Sequence, residues 1–166
     1  MLCVDESDFV KKGAYSPGGA RQYCGRLGKN KNCQAGVFLA YSNSQGHALL
    51  DARLYIPRKW FGCEYEEQRK RAKLPKGLEF QTKNEMAQEL LAQVISADLF
   101  PIKWIGCDAS FGSDHSFLKS LPADKYYFAA VRKNEKIFRS MPKMIASKRA
   151  GQGGNVGCPL LFQQSM

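Results

Sequence analysis

Two short stretches decide the fold of this chain: Leu2-Cys3-Val4-Asp5-Glu6-Ser7 and, more than a hundred residues later, Trp104-Ile105-Gly106-Cys107-Asp108-Ala109-Ser110. In each, an apolar run that is typical of a buried strand ends on an aspartate. If the two strands are neighbours in one sheet, the carboxylates of Asp5 and Asp108 meet at its edge and can hold a divalent cation. The function therefore depends on whether these two side chains meet.

The composition favours a polyanionic partner. The chain has 166 residues, which is the length of one domain with its own core. Its 25 Lys+Arg against 15 Asp+Glu give a net charge of +10, and such a balance indicates nucleic acid as the leading partner. The bias is strongest in residues 132–149, where Glu135 is the sole acid among Arg132, Lys133, Lys136, Arg139, Lys143, Lys148 and Arg149.

The cysteines indicate a reducing compartment. Six cysteines are spread along the chain without a CxxC pair, and no secretory leader precedes them. Reduced thiols in a cytoplasmic protein fit this pattern, although a structural zinc site built from distant ligands stays open. No apolar stretch approaches the roughly 20 residues that a membrane span requires. We therefore expect a soluble protein without a membrane partner.

The first half of the chain predicts a meander of three strands. The strands are expected at Leu2 to Asp5, at Gln34 to Tyr41 and, after a polar turn, at His47 to Tyr55. The glycine-rich stretch from Lys11 to Asn32 is expected to be a loop or a wide hairpin connection. Residues 57–77 are polar and charged and predict an excursion over the surface.

The second half predicts two helices and two further strands. Thr82 and Glu85 form a capping box at the start of a helix that Pro101 ends. A strand at residues 102–108, a short helix at about 114–121 capped by Ser113, and a strand at residues 126–131 follow. The order β-β-β-α-β-α-β predicts an α/β fold with a mixed five-stranded sheet and flanking helices, because helical crossovers join parallel neighbours. This is the arrangement of ribonuclease H-like domains.

That arrangement places the first and fourth predicted strands side by side, roughly 4.8 Å apart. Asp5 and Asp108 would then share a cation. Mg²⁺ prefers one or two carboxylates together with waters and substrate phosphates, which is the setting of phosphodiester chemistry. The competing interpretation is that each aspartate only ends a strand or begins a turn.

The sequence around both aspartates resembles that of the catalytic domain of bacterial insertion-sequence DDE transposases. The similarity covers roughly residues 2 to 133 in order, which is more specific than any single short motif. The stretches that carry it are Asp5-Glu6-Ser7-Asp8-Phe9-Val10-Lys11-Lys12-Gly13, Ala20-Arg21-Gln22-Tyr23-Cys24-Gly25-Arg26-Leu27-Gly28, Asn32-Cys33-Gln34-Ala35-Gly36-Val37, Leu54-Tyr55-Ile56-Pro57-Arg58-Lys59-Trp60, Phe80-Gln81-Thr82-Lys83-Asn84-Glu85-Met86-Ala87 and Asp108-Ala109-Ser110-Phe111-Gly112.

The resemblance implies a DDE superfamily endonuclease with a ribonuclease H-like domain. Two aspartates and one glutamate would bind Mg²⁺ or Mn²⁺, cut DNA at transposon ends and join those ends to a target. Asp5 would be the first acid and Asp108 the second. The partner would be DNA, and the family allows a homo-oligomer in the full-length protein.

The third acid is missing from its expected place. The family's glutamate lies well beyond the second aspartate, and here Glu135 is the last acid of the sequence and stands where the family does not place it. The chain also starts almost inside its first strand. We therefore expect a truncated transposase fragment, incomplete at both ends and inactive alone, with a partial catalytic domain at residues 1–133 and a poorly ordered basic tail at 134–166.

Candidate DNA contacts are Lys11, Lys12 and Arg21 near the first aspartate, together with Lys143, Lys148 and Arg149 in the tail. Each could equally be a solvated surface cation. Two other functions stay open: a nucleic-acid-binding module without catalysis, and a stand-alone nuclease of the same fold that uses Glu135 as its third ligand.

Overall fold

A mixed six-stranded sheet is the centre of the fold. The computed structural model describes residues 1–135, of which Met1–Arg132 form one compact unit. The strands are β1 (Leu2–Val10), β2 (Ala20–Cys24), β3 (Lys29–Asn43), β4 (Gly46–Tyr55), β5 (Trp104–Cys107) and β6 (Tyr126–Ala129). The helices are α1 (Glu66–Arg71), α2 (Lys83–Ser96), α3 (Ala109–Gly112) and α4 (His115–Ser120), and short 3-10 turns cover Gly25–Leu27, Arg58–Phe61 and Cys63–Tyr65.

The strand order confirms the predicted neighbours. β1 runs antiparallel to β3 and parallel to β5, and β5 runs parallel to β6. β4 pairs antiparallel with β3, so β1, β3 and β4 form the expected meander. The chain reaches β5 from β4 through α2, which is the crossover that a parallel neighbour of β1 requires. The predicted mixed α/β, ribonuclease H-like fold is confirmed, with six strands instead of five.

The two faces of the sheet differ in their covering. Alternation along β1 sends Leu2 and Val4 to one face, where Val37, Leu39 and Ile105 join them. This packed face meets α2 through Met86, Ala87, Leu90 and Leu91, and all these side chains are buried. The other face, here called the open face, carries Cys3, Asp5, Ser7 and Phe9 of β1. Register extends the open face to Phe38 of β3, Trp104 of β5 and Tyr126 of β6.

The predicted loop at Lys11 to Asn32 is wrong in its middle. Ala20–Cys24 forms β2, which pairs antiparallel with residues 29–33 of β3. Gly18 turns the chain into β2 with φ at +69°, and there a Cβ would lie 2.5 Å from the carbonyl oxygen of Tyr55. β2 has only small apolar side chains facing inward, Ala20 and Cys24, so its hydrophobic pattern is too weak to show in the sequence.

The predicted end of the first strand at Asp5 is also wrong. β1 continues to Val10 because residues 6–10 keep pairing with residues 33–37 of β3. The pairing with β5 stops at Val4 and Cys107. Asp5 therefore lies within a strand, at the point where that strand loses one of its two neighbours.

The helix boundaries test the capping predictions. At α2 the capping box is confirmed: Glu85 N donates to Thr82 Oγ1 at 3.2 Å, and Thr82 N donates to Glu85 Oε2 at 2.7 Å. This helix ends at Ser96, before Pro101. The predicted Ser113 cap of α4 is wrong, because Asp114 occupies the cap and its carboxylate accepts from Ser116 N at 2.8 Å. None of the helices in residues 1–135 is long and apolar enough to span a membrane.

Candidate active site

Asp5 and Asp108 are neighbours across β1 and β5. The last paired residues of these parallel strands are Val4 and Cys107, and the two aspartates follow them directly. Since side chains alternate along a strand, both carboxylates belong to the open face. The negative charge of Asp108 is close enough to Asp5 to contribute to the raised pKa of Asp5. The predicted meeting of the two strand segments has therefore taken place.

The pKa of Asp5 is raised above its ordinary value. Partial burial of the carboxyl group is the main cause, and the negative charges of Asp108 and Glu6 add to it. The backbone N–H of Glu6 donates to Asp5 Oδ1 at 2.8 Å and acts in the opposite direction. Among residues 1–135, no hydrogen bond engages Asp5 Oδ2. One carboxylate oxygen thus stays available beside a second negative charge.

Asp108 is held by the helix that it begins. As the N-cap of α3, its Oδ1 accepts from Ser110 N at 3.0 Å, from Ser110 Oγ at 2.6 Å and from Phe111 N at 3.4 Å. These contacts fix the orientation of the carboxylate. Within the described part of the chain, Asp108 Oδ2 accepts no hydrogen bond and forms no salt bridge.

Gly112 positions α3 and was missed in the sequence. A Cβ at this residue would lie 2.1 Å from the carbonyl oxygen of Ala130, so only glycine allows α3 to approach the end of β6 this closely. Because this oxygen belongs to the backbone, it cannot move aside as the end of a flexible side chain could. The position of the Asp108 carboxylate therefore depends on a glycine four residues later.

Glu6 and Cys107 flank the pair but take other roles. Glu6 alternates to the packed face, where Lys83 Nζ donates to its Oε2 at 2.6 Å, so its charge is already balanced. Burial and, to a smaller extent, the charge of Asp108 raise the pKa of Cys107 to about 11. A thiol with this pKa stays neutral at physiological pH and is a poor metal ligand.

The two aspartates fit a hard divalent cation. Each is a carboxylate with one oxygen fixed by the backbone and one oxygen unengaged, and Mg²⁺ is commonly held by one or two carboxylates plus waters and substrate phosphates. Residues 1–135 contain no group of three or more His, Cys, Asp or Glu side chains placed to hold a metal. Glu135, the alternative third ligand, is exposed. The described part of the chain thus brings two carboxylates together, and a third is not among them.

The predicted DNA contacts divide into those that the structure describes and those that it does not. Lys11 is partly buried, and Lys12 and Arg21 are exposed. Arg21 pairs with Asn32 of β3, and alternation along β3 from Phe38 puts both on the open face with Asp5. Lys143, Lys148 and Arg149 lie outside the described residues.

Comparison with known proteins decides the family. Residues 1–160 match the sequence model of a family described as DDE superfamily endonuclease. The chain belongs to this family. No curated protein and no solved structure matches the chain.

For a DDE superfamily endonuclease, the observed features gain a common meaning. The chain is a transposase-like nuclease domain whose substrate is nucleic acid, and members of the family generally use divalent metals. The fold agrees with this assignment, because it is the mixed α/β sheet expected of a ribonuclease H-like DDE domain. The positive net charge is the charge that a nucleic-acid substrate requires.

Proposed function

We propose that this chain is part of the catalytic domain of a transposase, which cleaves DNA phosphodiester bonds at transposon ends with the help of Mg²⁺ or Mn²⁺ and transfers the cut strand, and that the chain has little or no activity alone because it lacks a third acid. The observation that supports this is the placement of Asp5 and Asp108 directly after the last residue pair of two parallel strands. Asp5 and Asp108 would be both the catalytic residues and the metal ligands. Cytoplasmic DNA would be the substrate and target.

The chain's own residues supply a negatively charged, oriented ligand pair. Partial burial raises the pKa of Asp5, the charge of Asp108 adds to the rise, and a bound divalent cation would relieve the repulsion between the two carboxylates. The backbone bonds to Glu6, Ser110 and Phe111 hold the carboxylates, so little reorganisation is needed on binding. When bound, such ions activate an attacking oxygen and neutralise charge on the leaving one.

Lys11, Lys12 and Arg21 would bind the DNA backbone beside the acid pair. They stand along the chain just after β1 and in β2, and charge-assisted contacts of this kind position DNA without reading its sequence. Lys143, Lys148 and Arg149 would add further contacts from the basic tail. The family also allows the chain to act in a homo-oligomer.

The number of ligands limits the expected activity. Because residues 1–135 bring only two carboxylates together, we expect weak cleavage or none from the isolated chain. This favours a second candidate function, a DNA-binding module without catalysis. A third possibility, a stand-alone nuclease, requires Glu135 as the missing ligand, and it fails if Glu135→Gln leaves metal-dependent cleavage unchanged.

Nicking of supercoiled plasmid in the presence of Mg²⁺ or Mn²⁺ tests the proposal. If the chain nicks DNA, Asp5→Asn and Asp108→Asn should each lower the rate by more than about 100-fold, because each removes a metal ligand. Asp51→Asn is the matched control, since Asp51 Oδ1 accepts from the next backbone N–H at 2.7 Å just as Asp5 does, and it should stay within about twofold.

A metal-binding measurement separates the candidates when no nicking is found. Millimolar Mg²⁺ should raise the melting temperature of the unmodified chain, and Asp5→Asn should remove that rise. A metal-dependent rise without nicking indicates an intact but incomplete site. If Mg²⁺ has no effect on the unmodified chain and DNA is bound without nicking, the nuclease proposal fails and the binding module remains.

A further inference from the structure

A second feature of the chain is a long basic segment without acids. Between Asp8 and Asp51 the sequence contains no aspartate or glutamate. The same segment contains six cations: Lys11, Lys12, Arg21, Arg26, Lys29 and Lys31. The folded chain gathers most of them on one hairpin, formed by β2, the turn Gly25–Leu27 and the first residues of β3, which is called the basic hairpin below.

The cations of the basic hairpin are exposed and unpaired. Arg21, Arg26, Lys29 and Lys31 are all exposed, and within residues 1–135 none of them forms a salt bridge. The cations of α1 differ: Lys70 pairs with Glu66 at 2.7 Å and Arg71 with Glu67 at 2.8 Å. The hairpin therefore concentrates positive charge that the described part of the molecule leaves unbalanced.

The basic hairpin is held firmly against the sheet. Gly25 N donates to Asp8 Oδ2 at 2.7 Å, which ties the turn to β1, and Gln22 Nε2 donates to the carbonyl oxygen of Cys33 at 2.9 Å. Cys24 and Cys33 are fully buried beneath it. A fixed hairpin loses little conformational freedom when it binds, so its charges are already placed for a ligand.

One side of the hairpin lies on the same face of the sheet as the acid pair. Arg21 and Tyr23 stand opposite Asn32 and Asn30 of β3, and alternation along β3 puts them on the open face. Lys29 and Lys31 stand opposite Cys24 and Gln22 and therefore lie on the other side of the hairpin. Tyr23 is 61% exposed, and its hydroxyl can donate to a phosphate oxygen. Asn32 is six residues from Phe38, the partner of Asp5, which is about 20 Å of extended strand. One DNA strand spans that length with about six nucleotides.

We propose that the basic hairpin binds the phosphate backbone of duplex DNA at its turn and at the edge of the sheet that β2 forms, with Arg26 of the turn and Lys29 and Lys31 of one side as contacts in addition to Arg21 of the other. The inference rests on the proposed function for its choice of DNA as the polyanion. It deepens that function by naming a surface that holds the duplex about 20 Å along β3 from the residue that pairs with Asp5. Phosphates are the fitting ligand, because unpaired Lys and Arg side chains release counterions from DNA and gain charge-assisted hydrogen bonds.

The test compares two triple variants of the full chain with equal loss of charge. Arg26→Gln/Lys29→Gln/Lys31→Gln neutralises the hairpin. Lys70→Gln/Arg71→Gln/Lys125→Gln is the control, because its three cations are paired with Glu66, Glu67 and Asp124. The affinity for a fluorescent 30-base-pair duplex is measured by anisotropy in EDTA, over a series of salt concentrations, so that binding is read without cleavage.

The hairpin variant should lose on the order of 10-fold in affinity at low salt. Its slope of log affinity against log salt should fall by about 2 to 3, since each lost phosphate contact removes about 0.9. The control should keep the slope of the unmodified chain. Equal losses in the two variants, or an unchanged slope in the hairpin variant, would overturn the inference.

Two further measurements keep the result interpretable. If the hairpin triple does not fold, as judged by circular dichroism, Lys29→Gln alone replaces it and should lower the slope by about 1, and an unchanged slope there also overturns the inference. Because the assay contains EDTA, its outcome does not depend on metal binding at Asp5 and Asp108. A reduced salt slope in the hairpin variant, with no plasmid nicking by the unmodified chain, supports DNA binding by the hairpin and contradicts the nuclease proposal. Nicking by the unmodified chain together with an unchanged salt slope in the hairpin variant supports the nuclease proposal and contradicts DNA binding by the hairpin.

Discussion

The packed face and the open face of the sheet are made by the same strands but differ in burial and in the kinds of side chain that they carry. On the packed face of β1, Leu2 and Val4 are almost completely buried against α2. On the open face of the same strand, Asp5 is exposed and Phe9 is 45% exposed. The difference indicates that one face supplies the stability of the fold, while the other leaves the acid pair and Arg21 exposed to solvent.

The largest effect should come from a leucine of the packed face. Leu90→Ala removes a fully buried side chain of α2 and leaves a cavity, so it should lower the free energy of unfolding by about 2–5 kcal/mol. Leu49→Ala is the matched change at an exposed position on β4, where Leu49 is 63% exposed, and should cost less than about 0.5 kcal/mol. Urea unfolding measures both. Similar costs for the two variants would contradict the division into two faces.

An intermediate effect is expected at Asp8, the buried acid of β1. Asp8→Ala removes the acceptor for Gly25 N and should lower the free energy of unfolding by about 1–3 kcal/mol. Asp8→Asn keeps an acceptor oxygen of the same shape and should cost less. Hydrogen exchange at Gly25 gives a local measurement, because its amide should lose protection in Asp8→Ala. Unchanged protection there would show that Asp8 does not hold the basic hairpin.

The smallest effect, and one of opposite sign, is expected at Asp5. Its raised pKa means that the folded state disfavours the ionised carboxylate. Stability is therefore full below the ordinary aspartate pKa and falls as the pH rises through the raised value. Asp5→Asn removes that loss and should raise the free energy of unfolding at pH 7 by less than about 1 kcal/mol, since solvent screens an exposed group.

A pH series of urea unfolding curves checks the prediction for Asp5. The gain from Asp5→Asn should disappear below the ordinary aspartate pKa, where Asp5 is protonated in both the folded and the unfolded chain. Asp108→Asn is a useful companion, because asparagine also caps helices well and leaves α3 intact. A loss of stability in Asp5→Asn at pH 7 would show that the carboxylate is structural.

The elements that were predictable from the sequence carry strong local signals. Thr82 and Glu85 are spaced as a capping box, and the helix begins there. The apolar runs before Asp5 and Asp108 read as buried strands, and the helical crossover between them made parallel pairing the natural outcome. The placement of the two acids side by side could therefore be predicted. Their role as metal ligands stays a prediction.

The errors arise where tertiary contacts override local patterns. β2 buries only Ala20 and Cys24 and exists because β3 is long enough to pair with it. The continuation of β1 past Asp5 depends on β3, a strand that follows it by about twenty residues. Asp114, and not the adjacent Ser113, is the N-cap of α4. Both residue types cap helices well, so the sequence alone does not decide between them.

The parallel pairing of β1 with β5 also constrains when the acid pair can form. Leu2 pairs with Ile105, so the first strand must wait for a partner that is made about a hundred residues later. Contacts of such sequence separation close slowly, because the chain entropy is lost before the pairing is gained. During synthesis Asp5 leaves the ribosome about a hundred residues before Asp108 does. The acid pair is therefore a late product of folding, absent until Asp108 and the helix it caps have emerged.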